Sequence, residues 1–167
     1  MKISILIIVA IFFGVLFWSI ASEDLSQDIT FYYKKLLGQT TTIEINNSKF
    51  EVEIARSSSE KRKGLSKRDD LKEKRGMIFL NNKEDLYSFW MKDVKFPLDI
   101  IWIKDDKIIG LEKNVPIETD KDYKKYIPPQ PVDKILELKG GVSQKYNIKV
   151  GDKVNFSKNL WGLDVLP

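Results

Sequence analysis

The sequence predicts a mostly β fold: a small antiparallel β-barrel-like domain with one or two short helices, preceded by an N-terminal transmembrane helix. Three observations carry this reading. An uncharged apolar run opens the chain. Beyond residue 40, short β-branched and aromatic stretches follow one another at close spacing. Turn clusters such as Asn46-Asn47-Ser48 and Lys104-Asp105-Asp106 separate them. Short strands joined by hairpin turns are the pattern of a sheet that curls on itself.

Ile3 to Ala21 carries no charge, and only Ser4, Gly14 and Ser19 interrupt its apolar residues. At about 1.5 Å per residue, such a helix crosses a hydrocarbon core of about 30 Å. Lys2 precedes it and Glu23, Asp24 and Asp28 follow. The basic flank therefore stays cytoplasmic, the rest of the chain is sent outward, and Trp18 sits as an interfacial aromatic. A cleaved signal peptide, with a mature start at Ser22 after Ser19-Ile20-Ala21, is the competing reading. Its apolar core is ordinarily shorter, about 7–15 residues, so an uncleaved anchor is favoured. Both readings export the remainder. The expected organisation is an anchor (or signal peptide) over residues 1–21, a juxtamembrane helix or stalk over 22–39, a β domain over 40–158 and a tail over 159–167. The expected location is the membrane, single-pass, with the C-terminal domain outside the cytoplasm, or secreted if the segment is cleaved.

From Leu25 the apolar residues Ile29, Tyr32, Tyr33, Leu36 and Leu37 recur near helical spacing, and Gly38 stands where the helix should stop. The period then changes. Thr40 to Ile45 is β-branched, and Phe50, Val52 and Ile54 alternate with Glu51, Glu53 and Ala55, which together make a hairpin. Ser57 or Ser58 caps a short helix starting near Glu60. Gly76 to Leu80 reads as a buried strand, and Ser88 to Met91 begins another. Leu98–Ile103 and Lys107–Leu111 form the clearest hairpin of the chain. Val115 to Pro131 holds Pro116, Pro128, Pro129 and Pro131, so it is a surface connection and not a central strand. Lys134 to Leu138 resumes a strand, Gly140-Gly141 breaks it, Val142 to Tyr146 makes one helical turn, and Val150 to Val154 leads into a last strand.

Composition removes whole classes of chemistry. The 167 residues include 28 Lys+Arg and 24 Asp+Glu but no histidine and no cysteine. There is thus no Ser-His-Asp or Cys-His nucleophile, no His/Cys zinc site, no disulfide, no thiolate-ligated cluster and no cysteine for lipid attachment. Charges of both signs alternate along the chain, as in Asp69 to Arg75, which describes a solvated surface; no nucleic-acid partner is expected. Asp105-Asp106 and Glu118 to Asp122 offer oxygen ligands that calcium would accept, but neither has EF-hand spacing and Lys107 and Lys121 compete. Turn chemistry accounts for Asp105-Asp106. No cofactor and no metal are expected, and no phosphate-cradling glycine run occurs.

Aromatic, cationic and acidic groups crowd together from Ser88 to Asp99 around Pro97. An aromatic wall with a few polar groups is how a small-ligand pocket is built. The alternative is that Phe89, Met91 and Phe96 are core, with Lys92 and Asp99 paired at the sheet edge.

These residues carry a resemblance. Gly64-Leu65 with Arg68, then Gly76-Met77-Ile78-Phe79, Phe89-Trp90-Met91-Lys92 and Pro97-Leu98-Asp99-Ile100-Ile101 recur in this order in the domain-of-unknown-function 192 family (uncharacterised protein family 0127). Leu136-Glu137-Leu138, Gly140-Gly141 and Ile148 to Val154 fit its closing pattern, so the chain resembles that family from about Ile43 to Phe156. It departs where the family usually has Asn-Thr after the lysine, since here Asp93-Val94 stand. The resemblance implies a compact, mostly β domain, often behind a signal or membrane segment, without an assigned reaction. It also implies a candidate ligand-binding set of Arg68, Trp90, Met91, Lys92, Pro97 and Asp99. In that set Arg68 and Lys92 would hold an anion, Trp90 would stack on a ring, and Asp99 would orient a cation.

The function read from the sequence is therefore a membrane-anchored extracytoplasmic β domain that binds a small ligand (a small anion among them), an envelope polymer or a partner protein, with no catalytic residue assigned. The alternative is a carboxylate-dependent hydrolase or transferase of the cell envelope, using Asp99 with Asp93 or Glu112.

Overall fold

The computed structural model describes residues 23–119, 123–157 and 160. The chain divides into two compact units, Met1–Tyr33 and Lys34–Pro167. The anchor segment and residues 161–167 lie outside the described residues, as do Asp120 to Asp122. Among the described residues, no helix is long and apolar enough to cross a membrane.

Helix α1 (Glu23–Leu36) ends where Gly38, at a positive φ of 68°, turns the chain away, its N–H donating to Lys35. Seven strands follow, with two helices among them: β1 (Thr40–Ile45), β2 (Ser48–Ala55), α2 (Ser58–Lys63), β3 (Arg75–Asp85), β4 (Leu98–Lys104), β5 (Lys107–Val115), β6 (Val132–Lys139), α3 (Val142–Lys145) and β7 (Asn155–Phe156). They form one curled half-barrel sheet in the order β5-β4-β6-β3-β2-β1-β7.

The two hairpin turns obey local chemistry. Asn46 and Asn47 (φ 51° and 60°) and Asp105 and Asp106 (φ 48° and 56°) each place two successive residues at positive φ, as the tight primed turn of a two-residue hairpin requires. β2 and β3, however, pair in parallel, so the sheet is not antiparallel throughout. Parallel neighbours need a crossover of a dozen or more residues, and residues 56–74, which contain α2, supply it. The Ser88–Met91 stretch makes only an isolated bridge, Phe89 with Tyr126, in place of a strand.

Alternation along the strands divides the core in two. Ile78, Leu80, Ile101, Ile103, Leu136 and Leu138 fill the inside of the curl with Ile43, Phe50, Val52 and Val154. Met77, Phe79, Leu98, Ile100, Trp102 and Ile135 point to the outer face, under Leu65, Met91, Val94, Phe96 and Tyr126 from the connections. Burial on both faces is why β4 reads as a nearly continuous apolar run. The 56–74 crossover and the 86–97 connection supply residues to that outer layer, and the candidate site lies there.

Candidate functional site

α2 starts on a capping box. The Ser57 hydroxyl accepts from the Glu60 N–H (3.2 Å), and the Glu60 carboxylate accepts from the Ser57 N–H (2.8 Å). The helix carries Lys61, Arg62 and Lys63 in its last turn and ends at Gly64, whose N–H donates to the Glu60 carbonyl (2.8 Å). Gly64 has φ 48° and ψ −133°, a backbone conformation that residues with side chains rarely adopt. Glycine thus lets the chain turn back and lay α2 against the outer face of β3.

Between this turn, β3, β6 and the 87–94 connection lies a cavity of about 220 Å³. Phe79, Tyr87, Phe89 and Trp90 line it together with Leu65 and Val94. Its polar lining includes Asn81, Lys61 and Glu137. Phe79 and Phe89 meet edge to face at 4.8 Å between centroids, and Phe89 meets Trp102 in the same way at 5.7 Å, which sets the rings. Lys61 Nζ donates to Asn81 Oδ1 at 2.7 Å, and burial lowers the pKa of this lysine.

Glu137 is the unusual member. It is buried, and its Oε2 has no hydrogen-bond partner. Burial pushes its pKa up to about 8, against the opposing pull of the Arg68 guanidinium. Near neutral pH the carboxyl is therefore mostly protonated and able to donate. Glu53 lies on the same row of the outer face, since both glutamates pair with Met77 across the ladder. Its state is the opposite. Burial raises its pKa, but the Arg68 fork (2.6 and 2.8 Å) and Lys34 outweigh that and hold it below the ordinary value.

A second, more open depression of about 640 Å³ adjoins Trp90 and is lined by Arg62, Lys63, Lys67, Lys92, Ser59, Ser66 and Asp93. Its two strands of chain are stitched together: Ser66 Oγ donates to the Lys92 carbonyl (2.9 Å) and the Lys67 N–H to that of Asp93 (2.7 Å).

The structure brings Trp90 and Lys92 of the sequence-derived set to this place. Trp90 is 43% exposed and borders both hollows. Arg68 is nearby but engaged with Glu53, and Met91 is wholly buried in the outer core. Asp99 lies on the inner face, with Ile101 and Ile103. Its Oδ1 accepts from the N–H of Asn114 (2.7 Å) and Gly141 (3.1 Å), and its Oδ2 from that of Ser143 (2.6 Å). The Pro97 carbonyl accepts from the Gly140 N–H (2.8 Å). Pro97-Leu98-Asp99 and Gly140-Gly141 are thus one joint that ties β4 to the start of α3, and the Lys92–Asp99 pair is replaced by backbone contacts.

The acids considered for hydrolysis do not converge. Asp93 is exposed in a turn. Glu112 pairs with Ile100, which puts it on the outer face, opposite to Asp99. Sequence reasoning missed Glu137. The signal was present, a lone carboxylate within the otherwise apolar Ile135-Leu136-Glu137-Leu138. Among the described residues no group of three or more acids is placed to hold a metal ion.

The family model described as DUF192, Uncharacterized ACR, matches residues 41–156. This chain belongs to the DUF192 family. A crystal structure of a protein of unknown function from Novosphingobium aromaticivorans is similar, with 34% identity and a TM-score of 0.61. That match covers 70% of this chain and 83% of the other. A protein from Sinorhizobium meliloti, described as a "putative transcription regulator", shares the fold at 22% identity and a TM-score of 0.63, over 71% of this chain and 94% of the other. A search of curated proteins finds no match. Several residues of the DUF192 resemblance now have structural reasons: Gly64 for the turn that ends α2, Arg68 for Glu53, Asp99 for the joint.

Proposed function

We propose that this DUF192 domain is a membrane-anchored, extracytoplasmic binding module whose cavity over Glu137 takes one small ligand or the end of a larger one, without transforming it. The observation that carries the reading is Glu137, a buried carboxyl with one unpartnered oxygen, among the residues that line an aromatic-walled cavity. A buried polar atom left unsatisfied costs about 1–3 kcal/mol, and a ligand supplying its partner recovers that. Aromatic walls with one placed polar group are the ordinary make-up of a small-molecule site. Support for binding over hydrolysis comes from Glu53. It is the buried carboxylate on the same row as Glu137, and Arg68 and Lys34 occupy both its oxygens, so it is not free to activate water. Export rests on the apolar Ile3–Ala21 segment and its flanking charges.

Two measurements test this. Intact mass of the protein extracted from membranes is expected to include residues 1–21; a chain starting at Ser22 removes the anchor while leaving export. Tryptophan fluorescence and thermal shift against a panel of sugars, organic anions and envelope fragments are expected to show saturable binding that Trp90→Ala abolishes. Flat responses across the panel overturn the binding function.

A further inference from the structure

We propose that the ligand is an anionic saccharide, one sugar ring entering the cavity against Trp90 with its hydroxyls on Glu137, and its phosphate or carboxylate resting on Arg62, Lys63, Lys67 and Lys92. This deepens the binding reading above and rests on it.

Size comes first. At about 220 Å³ the cavity is smaller than pockets for drug-sized molecules, which begin near 300 Å³, so it accepts a group the size of one ring. Chemistry comes second. A purely apolar ring would leave the Glu137 oxygen without a partner, at a cost of about 1–3 kcal/mol. A polyhydroxylated ring both donates and accepts, so it satisfies a carboxyl in either protonation state. Its C–H face suits an aromatic surface, and Trp90 offers one at the boundary of the two hollows, still 43% exposed.

Charge is the third and independent observation. Arg62, Lys63, Lys67 and Lys92 face a single acid, Asp93, in the depression that shares Trp90 with the cavity. This excess is held in place and is not a loose surface run. Lys67 and Asp93 both adopt positive φ (63° and 57°), a conformation unfavourable for side-chain-bearing residues, and are joined by the Lys67 N–H to Asp93 carbonyl bond. An anionic group attached to the ring would lie there. A nucleic-acid strand would use the same cations, but its sequence-tolerant binding relies on several stacking platforms. Here a single exposed tryptophan adjoins a ring-sized cavity lined by a carboxyl group.

The test titrates the full-length protein in detergent with glucose, inorganic phosphate, glucose 1-phosphate, glucuronic acid, trigalacturonate and a thymidine oligonucleotide, reading tryptophan fluorescence and calorimetry. Glucose 1-phosphate or glucuronic acid is expected to bind at least about tenfold tighter than glucose or phosphate alone, a difference of about 1.4 kcal/mol. Raised salt is expected to erode that preference. The charge reversals Lys67→Glu and Lys92→Glu, both exposed and both lining the open depression and not the cavity, should remove the preference and leave weak glucose binding. Glu137→Leu, which can neither donate nor accept, should weaken glucose and its charged forms alike and leave phosphate unchanged. Trigalacturonate tighter than glucuronic acid supports a polymer end as the source; equal affinity supports a free sugar acid. Glucose as tight as its charged forms overturns the anionic assignment while the binding function stands. Phosphate as tight as glucose 1-phosphate overturns the sugar. A thymidine oligonucleotide that outcompetes every sugar overturns the ligand class. Silence from all six probes overturns the saccharide, and the broader ligand panel then decides the binding function separately.

Discussion

Glu53 and Glu137 flank Met77 on neighbouring strands of one sheet face, yet their surroundings drive their protons in opposite directions. The sign of each effect on stability follows. Glu53 has a lowered pKa in the fold, so its contribution is present above about pH 4.5 and is lost as pH falls through the lowered value. Glu137 has a raised pKa, so the stability associated with its neutral form is complete below pH 4.5. It is lost progressively as pH rises to about 8. The unliganded protein is expected to lose on the order of a few kcal/mol between pH 5 and pH 9, read as a falling Tm. Glu137→Gln cannot ionise and should flatten that decline; an unchanged slope in the variant would show that other groups produce it. Trp90 presents the contrary case, a large side chain left 43% exposed beside two hollows, where burial gives no reason for an aromatic residue.

Among the elements, the short helices matter less for their own stability than for what they position. α2 has only six residues and no buried side chain, so its place is set by the Ser57–Glu60 box at one end and the Gly64 turn at the other. α3 has four residues and no side-chain cap of its own; the Asp99 carboxylate, reaching from β4, supplies the acceptor for its Ser143 N–H. Removing it leaves three backbone donors without their partner. Asp99→Ala is expected to cost about 3 kcal/mol in urea denaturation. It should also speed amide exchange at Asn114, Gly141 and Ser143, and leave ligand titrations at Trp90 unchanged once the folded fraction is allowed for. Lost binding with exchange unaltered would return Asp99 to the site.

For the β domain as a whole, closure depends on one late segment. Gly151 and Val154 donate to Ile108 and Asp106, beside the β4–β5 turn. Asn155 and Phe156 then pair with β1, and Ser157 donates to Thr42. A single stretch thus bonds to both edges of the sheet, so edge backbone that would be left open is covered. Val154, fully buried inside the curl, anchors the stretch. Val154→Ala is expected to destabilise by about 2 kcal/mol. Amide exchange should rise together at Ile108 and Ser157, on opposite edges, and not at Leu136 in the centre. Exchange rising at one edge alone would mean that the two contacts open independently.

Local chemistry was enough to determine much of this molecule. The hairpins at Asn46-Asn47 and Asp105-Asp106, the Ser57 cap, the stop at Gly38 and the apolar strands all follow from preferences that act over a few residues. The family resemblance also stood on short motifs. What the tertiary structure decided concerns groups brought together from distant parts of the chain. The parallel β2–β3 pairing arises because a long crossover lies between the strands, and no short-range signal encodes its direction. Glu51 and Glu53 look alike in an alternating strand, yet Arg68 and Lys34 close over Glu53 alone and make it core. Asp99 looked like a site residue, and the fold turns it inward onto three backbone donors. Glu137 looked like one polar residue in a strand until Leu65 of the crossover and the rings of the 87–94 connection came together around the cavity that it lines. Burial and electrostatic environment are properties of the assembled surroundings, so they determine what a carboxyl group does only after the chain has folded.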